Sequence, residues 1–188
     1  MKIIPSKLNG VIVIEPRVFK DDRGFFFESY QQTKYQELGV EAPFVQDNHS
    51  RSSKGVLRGL HLQLNHTQGK LIRVLQGEIY DVVVDLRPGS PTFLQWDWYE
   101  LSAENFRQVY VPLGFAHGFY SMSDVVEIEY KCTDYYDPKS EVSLLWNDPK
   151  LAIRWPNGNP ILSSKDVGGF SLDEIISKTK HFSQYFKK

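Results

Sequence analysis

The sequence predicts an all-β sandwich or barrel with short peripheral helices and one C-terminal helix. Three observations predict it. Aromatic and β-branched residues come in short runs. Turn residues punctuate those runs at strand spacing. Helical periodicity under a capping signature is confined to the tail. At 188 residues, one domain spanning 1–188 is expected, large enough to bury a core without disulfides or metals.

Taken in order, "VIVIEP" (Val11–Pro16) reads as a strand, "DDRG" (Asp21–Gly24) as a turn and "FFFESY" as the next strand. "QQTKYQELG" is a short helix that Gly39 stops. Strands then crowd together: "GVLRGLHLQ", "KLIRVLQ", "EIYDVVVDLR", "FLQWDWYELS", "RQVYVP", "HGFYSM" and "VVEIEYKCT". "QGE" and "RPGSP" stand where hairpin turns are expected. In the tail, Ser171 with Glu174 three residues on forms a capping box, and Leu172, Ile175 and Ile176 share the face that packs on the β core. No repeat or linker divides the chain.

Charge is balanced, with 22 basic against 23 acidic residues. That excludes the basic footprint of a general nucleic-acid binder and a polybasic membrane surface. An anionic ligand must therefore be met by a local cluster. Cys132 is the only cysteine, which fits a reducing cytoplasm. The N-terminal "MKIIPSKLNG" has no signal-peptide core and no stretch reaches membrane length. A cytoplasmic protein is expected.

Two features of the strands point to a site. In "GVLRGLHLQ", Arg58 and His61 sit among apolar residues, where groups of their kind are costly to bury unpaired. Strict alternation sends them to opposite faces, but Gly59 between them can mark a bulge that turns both into one cavity. In "VVEIEYKCT", Val126, Ile128, Tyr130 and Cys132 share one face, and Glu127, Glu129, Lys131 and Thr133 the other. Tyr130 therefore points inward.

The spacing of Gly55, His61, Gln63, Lys70 and Gly77, followed by "PLGFAH" with Pro112, Gly114 and His117, resembles the two motifs of the cupin superfamily, small jelly-roll β-barrels. Many cupins bind a metal through two His and a carboxylate of the first motif and a His of the second. Here Gln63 stands at the second His position and Lys70 at the carboxylate position. An ammonium has no lone pair to give, and an amide is a poor ligand for metals that favour imidazole. No metal and no cofactor are expected. A base near a lysine suits proton abstraction beside a carbonyl, with the lysine stabilising the enolate oxygen.

The words "DDRGFFFE", "QDNHS", "GVLRGLHLQ", "QGKLIRVLQGEIYDVVVDLR", "GSPTF", "PLGFAHGF", "EYKCTDYYDP" and "LSSKD" recur in order from about Gly10 to Phe170. Together they resemble the dTDP-4-dehydrorhamnose 3,5-epimerase family. The resemblance implies a cupin-type jelly roll that inverts C3 and C5 of dTDP-4-dehydro-6-deoxy-D-glucose. It makes His61 the base, Asp166 its orienting partner, Lys70 the stabiliser of the C4 oxyanion and Tyr130 the acid on the opposite face. Arg23, Glu28, Gln46, Asp47, Asn48, Arg58, Glu141 and Lys165 become nucleotide and diphosphate contacts. His117 and Asp81 line the sugar end as a pair, and Tyr136 touches the ligand. The family is typically a homodimer that exchanges N-terminal strands, so Arg23 and Glu28 would complete the partner's site. The resemblance assigns no role to His49, His66 or His181. "FLQW" departs from the family's common "FG.W" form at Leu94. Three alternatives stay open: inversion at C3 alone or on another nucleotide-linked sugar, a binding module without catalysis, and a metal cupin such as a dioxygenase.

Overall fold

The computed structural model describes residues 1–40 and 43–186. Its strands are β1 (Lys2–Ile4), β2 (Ile12–Glu15), β3 (Phe19–Asp21), β4 (Gly24–Phe26), β5 (Gln46–Ser53), β6 (Leu57–Gln63), β7 (Lys70–Gln76), β8 (Glu78–Asp85), β9 (Trp96–Ser102), β10 (Gln108–Val111), β11 (Phe115–Ser121), β12 (Val125–Cys132) and β13 (Glu141–Ser143). The helices are α1 (Gln32–Glu37), α2 (Ser164–Val167) and α3 (Leu172–Lys178), with a 3-10 turn over Lys180–Tyr185. Among the described residues no helix is long and apolar enough to cross a membrane.

Two sheets face each other. The six-stranded sheet runs β1-β2-β10-β7-β12-β5 and the five-stranded sheet β13-β6-β11-β8-β9. Strands adjacent in sequence often lie in opposite sheets, as in a cupin-like jelly roll. This corrects one expectation: "QGE" is no hairpin turn, because β7 and β8 belong to different sheets and Gly77, at φ 77°, turns the chain from one to the other. "RPGSP" does close a hairpin, β8 with β9. "FFFESY" is a strand only at its start, where β4 pairs with β3 in a small exposed hairpin.

Strand alternation sorts the side chains as the pleat requires. Val13, Ile72, Val74, Ile79, Val83, Val109, Phe115, Phe119, Val126 and Ile128 pack between the sheets. The outer face of the five-stranded sheet, with Leu60, Leu62, Val82, Val84 and Ala116, is covered by Leu172 and Ile175 of α3 and by Phe182. Tyr35 of α1 covers Ile14, Leu71 and Tyr110 on the other outer face. One helix stop and one helix start follow from local chemistry. Gly39 ends α1 at φ 98°. Ser171 and Glu174 form the expected capping box on α3. The tail helix is shorter than expected: Thr179 turns its hydroxyl back onto the Ile175 carbonyl at 2.9 Å, and the chain continues as a 3-10 turn.

One buried ion pair ties the end of β8 to the segment before β2. Asp85 and Arg87 are almost fully enclosed, and the guanidinium donates to both carboxylate oxygens, at 2.9 and 2.7 Å, and to the Asn9 carbonyl at 2.6 Å. The hydroxyls of Ser90 and Thr92 complete the carboxylate's partners. Burial alone would raise the Asp85 pKa, but these donors outweigh it and hold the group low. Next to it Leu94 takes φ 63°, the left-handed region that suits glycine, and donates its N–H to the Asp85 carbonyl.

Arg87→Ala strands a buried carboxylate and lowers stability by about 3–5 kcal/mol in urea unfolding. Because the folded pKa of Asp85 is depressed, its stabilisation is present above the ordinary carboxylate pKa and is lost as pH falls through the depressed value. Asp85→Asn removes that acid-side dependence.

Candidate active site

The space between the sheets is packed at one end and open at the other. The open end is a cavity of about 370 Å³, within the usual range for small-ligand sites. It lies between the sheet edges at β5 and β13. From the six-stranded wall come Gln46, Asn48 and Ser50 of β5, Lys70 of β7 and Ile128 and Tyr130 of β12. From the five-stranded wall come Arg58, His61 and Gln63 of β6, His117 and Phe119 of β11 and Glu141 of β13. Gln68, Tyr136 and Lys165 close the rim.

Arg58 and His61 reach the same cavity because β6 carries a bulge. His61 pairs with His117 and Arg58 with Phe119, so Gly59 and Leu60 together oppose Gly118 alone. The extra residue reverses the alternation between the two polar side chains. Gly59 is at φ 119°, and a Cβ there would lie 2.6 Å from the Gly118 Cα and 2.7 Å from the His117 carbonyl oxygen. Only glycine fits.

His61 is held by Asp166. Nε2 donates to Asp166 Oδ1 at 2.5 Å, which leaves Nδ1 free to accept a proton. Asp166 is only 2% exposed. Burial pushes its pKa up, but the bond and charge of His61, the Ser163 hydroxyl and Lys165 win and keep it ionised. A second pair stands beside the first: His117 Nε2 donates to the fully buried Asp81 at 2.7 Å. Desolvation raises the Asp81 pKa against the pull of His117 and Lys70.

Across the cavity, the Lys70 ammonium makes no hydrogen bond or ion pair among the described residues. Desolvation is the main force lowering its pKa, with Cys132, Glu141 and Asp81 opposing and Lys165 assisting. An ammonium in that setting is poised for an oxyanion. Tyr130 likewise turns its hydroxyl to the cavity rather than to a protein partner. Burial, Cys132 and Glu141 raise its pKa against Arg58, so it stays a protonated phenol. At the mouth, Glu141 accepts from Tyr136 at 2.7 Å and pairs with Lys165.

Thus ten of the expected site residues line one cavity, and Asp166 and Asp81 stand directly behind two of them. Three do not reach it. Asp47 follows the alternation of β5 outward and pairs with Lys131 at 3.0 Å. Arg23 lies on the β3–β4 hairpin, bound to Asp21 at 2.6 Å. Glu28 pairs with Lys34 at 2.7 Å. His49, His66 and His181 lie outside, against Glu127, Asp134 and the Leu64 carbonyl.

Several lining residues escaped sequence reasoning. "QDNHSRSS" lacks the apolar alternation that marks a strand, so β5 and its Ser50 went unread. Gln63, at a cupin ligand position, clamps the rim loop instead. Its amide donates to the His66 carbonyl at 2.6 Å and accepts from the Asp137 N–H at 2.9 Å. Among the described residues no group of three or more His, Cys, Asp or Glu is arranged to hold a metal.

A family model described as dTDP-4-dehydrorhamnose 3,5-epimerase matches residues 5–174. The chain belongs to that family. A relative of that description from Pseudomonas aeruginosa is 56% identical over 171 residues, 90% of this chain and 94% of that protein. Among solved structures, a dTDP-6-deoxy-D-glucose-3,5-epimerase from Legionella pneumophila in complex with dTDP-4-keto-L-rhamnose is 53% identical. It superposes with a TM-score of 0.89 over 93% of this chain and 94% of its own. A 3′-monoepimerase from Streptomyces bikiniensis in complex with dTDP-quinovose is similar at 33% identity and a TM-score of 0.84, over 90% and 87%.

Gly59→Ala forces backbone apart at the bulge. It destabilises the chain by roughly 1–3 kcal/mol, as overpacking does, and reduces turnover more than tenfold by moving His61, read by thermal melts and steady-state kinetics.

Proposed function

We propose that the cavity inverts C3 and C5 of dTDP-4-dehydro-6-deoxy-D-glucose to give dTDP-4-dehydro-L-rhamnose, the epimerase step of dTDP-L-rhamnose biosynthesis. One observation carries the reading: His61 and Tyr130 project into one cavity from opposite sheets. Inversion needs that arrangement, because a base that returns its proton to the face it came from changes nothing.

His61 Nδ1 takes the proton from C3, and the C–H electron pair moves into an enolate whose charge lies on the C4 oxygen. Asp166 stabilises the imidazolium that forms. Lys70 neutralises the oxyanion. Tyr130 delivers its phenolic proton to the opposite face, the carbonyl re-forms, and both groups exchange protons with solvent to reset. C5 flanks the same ketone, so the same groups serve a second round. The ketone already present in the substrate makes the proton acidic, and no redox step is required.

Arg58, Gln46, Asn48, Lys165 and Glu141 hold the nucleotide and diphosphate at the mouth, with charge-assisted bonds from the cations. Tyr136 contacts the ligand there. His117, backed by Asp81, lines the sugar end. Arg23 and Glu28 act in trans: the β3–β4 hairpin crosses to a second copy, and the partner's hairpin closes this cavity. Support for a homodimer of this kind lies in Phe19, Phe25 and Phe26, which are 52%, 60% and 71% exposed on that hairpin. The chain works as one domain in the cytoplasm, where its nucleotide-sugar substrate is made and used.

The test is a proton NMR time course in deuterium oxide. Wild-type enzyme removes both the C3 and C5 proton signals. His61→Ala abolishes exchange while dTDP binding persists. Tyr130→Phe leaves exchange but slows inversion by roughly 10²–10⁴-fold, the usual size of a general-acid contribution. Exchange at C3 alone would establish a 3-epimerase instead, and no exchange with dTDP binding intact would leave a binding module.

Mixing inactive Arg23→Ala and His61→Ala chains tests the arm. With exchange, half of the dimers are mixed and each restores one intact site, so activity returns to about a quarter of wild type. Without exchange no activity returns.

A further inference from the structure

We propose that Ser163 is a positioning residue that fixes the Asp166 carboxylate for His61, an inference that rests on the epimerase reading of the cavity. The Ser163 hydroxyl donates to Asp166 Oδ2 at 2.8 Å. The Ser163 Oγ in turn accepts the Asp166 backbone N–H at 3.2 Å as the N-cap of α2. Oδ1 is taken by His61 at 2.5 Å. Both carboxylate oxygens are therefore engaged in a buried setting, and the carboxylate cannot rotate without losing one of them.

The surrounding chain explains why such a device is needed. A four-residue helix has too few internal bonds to hold its own geometry. Segment 161–170 is tied to the five-stranded sheet at its two ends. Ile161 bonds with Gly55 and Leu57 at one end, at 2.8 and 3.0 Å, and Phe170 with Ser143 and Leu145 at the other, both at 2.8 Å. Between these anchors, Asp166 is positioned by His61 and Ser163. The charged groups that face the pair are few. Lys165 comes from α2 itself and Glu141 from β13, and these two are paired with each other. His61 comes from β6, and His117 of β11, backed by Asp81 of β8, stands opposite it.

During proton transfer the imidazolium must meet a carboxylate already aimed at Nε2. Ser163 supplies that aim before the charge arrives, and its donated bond also spreads part of the Asp166 charge. Its loss has two distinct effects. The carboxylate samples other rotations, which slows the chemical step. The less-solvated carboxylate also holds the His61 proton more tightly.

The experiment compares Ser163→Ala, Ser163→Gly and Ser163→Thr in the full chain. Kinetics are read as kcat, KM and the pH profile of kcat/KM, and His61 is followed by nitrogen NMR titration. Ser163→Ala lowers kcat about tenfold, the scale expected for losing one hydrogen bond to a charged group. KM stays within about twofold, as for an interaction that acts on chemistry rather than on ground-state binding. The acid limb and the His61 titration move up in pH. Ser163→Thr, which keeps donor and cap, restores all three. Ser163→Gly separates the two jobs, since glycine is tolerated at an N-cap but donates nothing. It behaves like Ser163→Ala if positioning is the role.

Three outcomes overturn the proposal: a Ser163→Gly enzyme with wild-type kcat, a Ser163→Ala effect confined to KM or to melting temperature, or an unshifted His61 titration. A wild-type chain that exchanges no substrate proton, with the His61 titration still shifted in Ser163→Ala, sinks the epimerase reading and leaves the positioning intact.

Discussion

The close approach of two glycine backbones, Gly59 and Gly118, is the constraint on which the site depends. It lets β6 carry one residue more than β11 can oppose. With regular pairing, either Arg58 or His61 would point out of the sandwich. The bulge brings a guanidinium and an imidazole into one space from a single strand. It also fixes His61 opposite His117, so the two imidazoles and the carboxylates behind them form adjacent pairs. Gln46, Asn48 and Ser50 reach the cavity by the ordinary pleat of β5.

The cavity exists because the interior is filled unevenly. A dense apolar cluster fills one part of the interior, and the cavity occupies the part toward β5 and β13. Polar groups at the boundary are desolvated by the apolar half without being paired by it. That one circumstance shapes several groups at once. It holds Tyr130 protonated, lowers Lys70 and raises Asp81. Asp166 escapes because donors surround it. Phenol, ammonium and carboxylates are thus shifted in different directions by their surroundings.

How much of this could be read in the sequence depended on which rule each residue obeys. Tyr130 was legible because β12 alternates cleanly, and Asp166 because its word belongs to an ordered set. The capping box on α3 and the stop at Gly39 were legible from local chemistry. β5 was not, since its inward residues are polar: they face a cavity rather than a core, and the apolar signal vanishes where function replaces packing. The turn at Gly77 misled for a topological reason, as a tight glycine turn serves a change of sheet as well as a hairpin. Ser163 carries a readable signal, a serine three residues before an aspartate, but one that says nothing of which imidazole that aspartate meets. Leu94 departs from the family's glycine yet keeps a glycine-like backbone, because the hydrogen bond to Asp85 and its packing on the outer cluster hold it there.

Phe119 and Ile128 each belong to the packed cluster and also border the cavity. A bound molecule therefore touches the same side chains that hold the sandwich together, and it supplies packing that the chain itself omits. Occupancy and folding become one linked equilibrium, because a ligand that binds only the folded chain deepens its stability as concentration rises. A cell that lets its substrate pool run low would then hold this chain in its least protected form, so the lifetime of the catalyst would follow the supply of what it consumes.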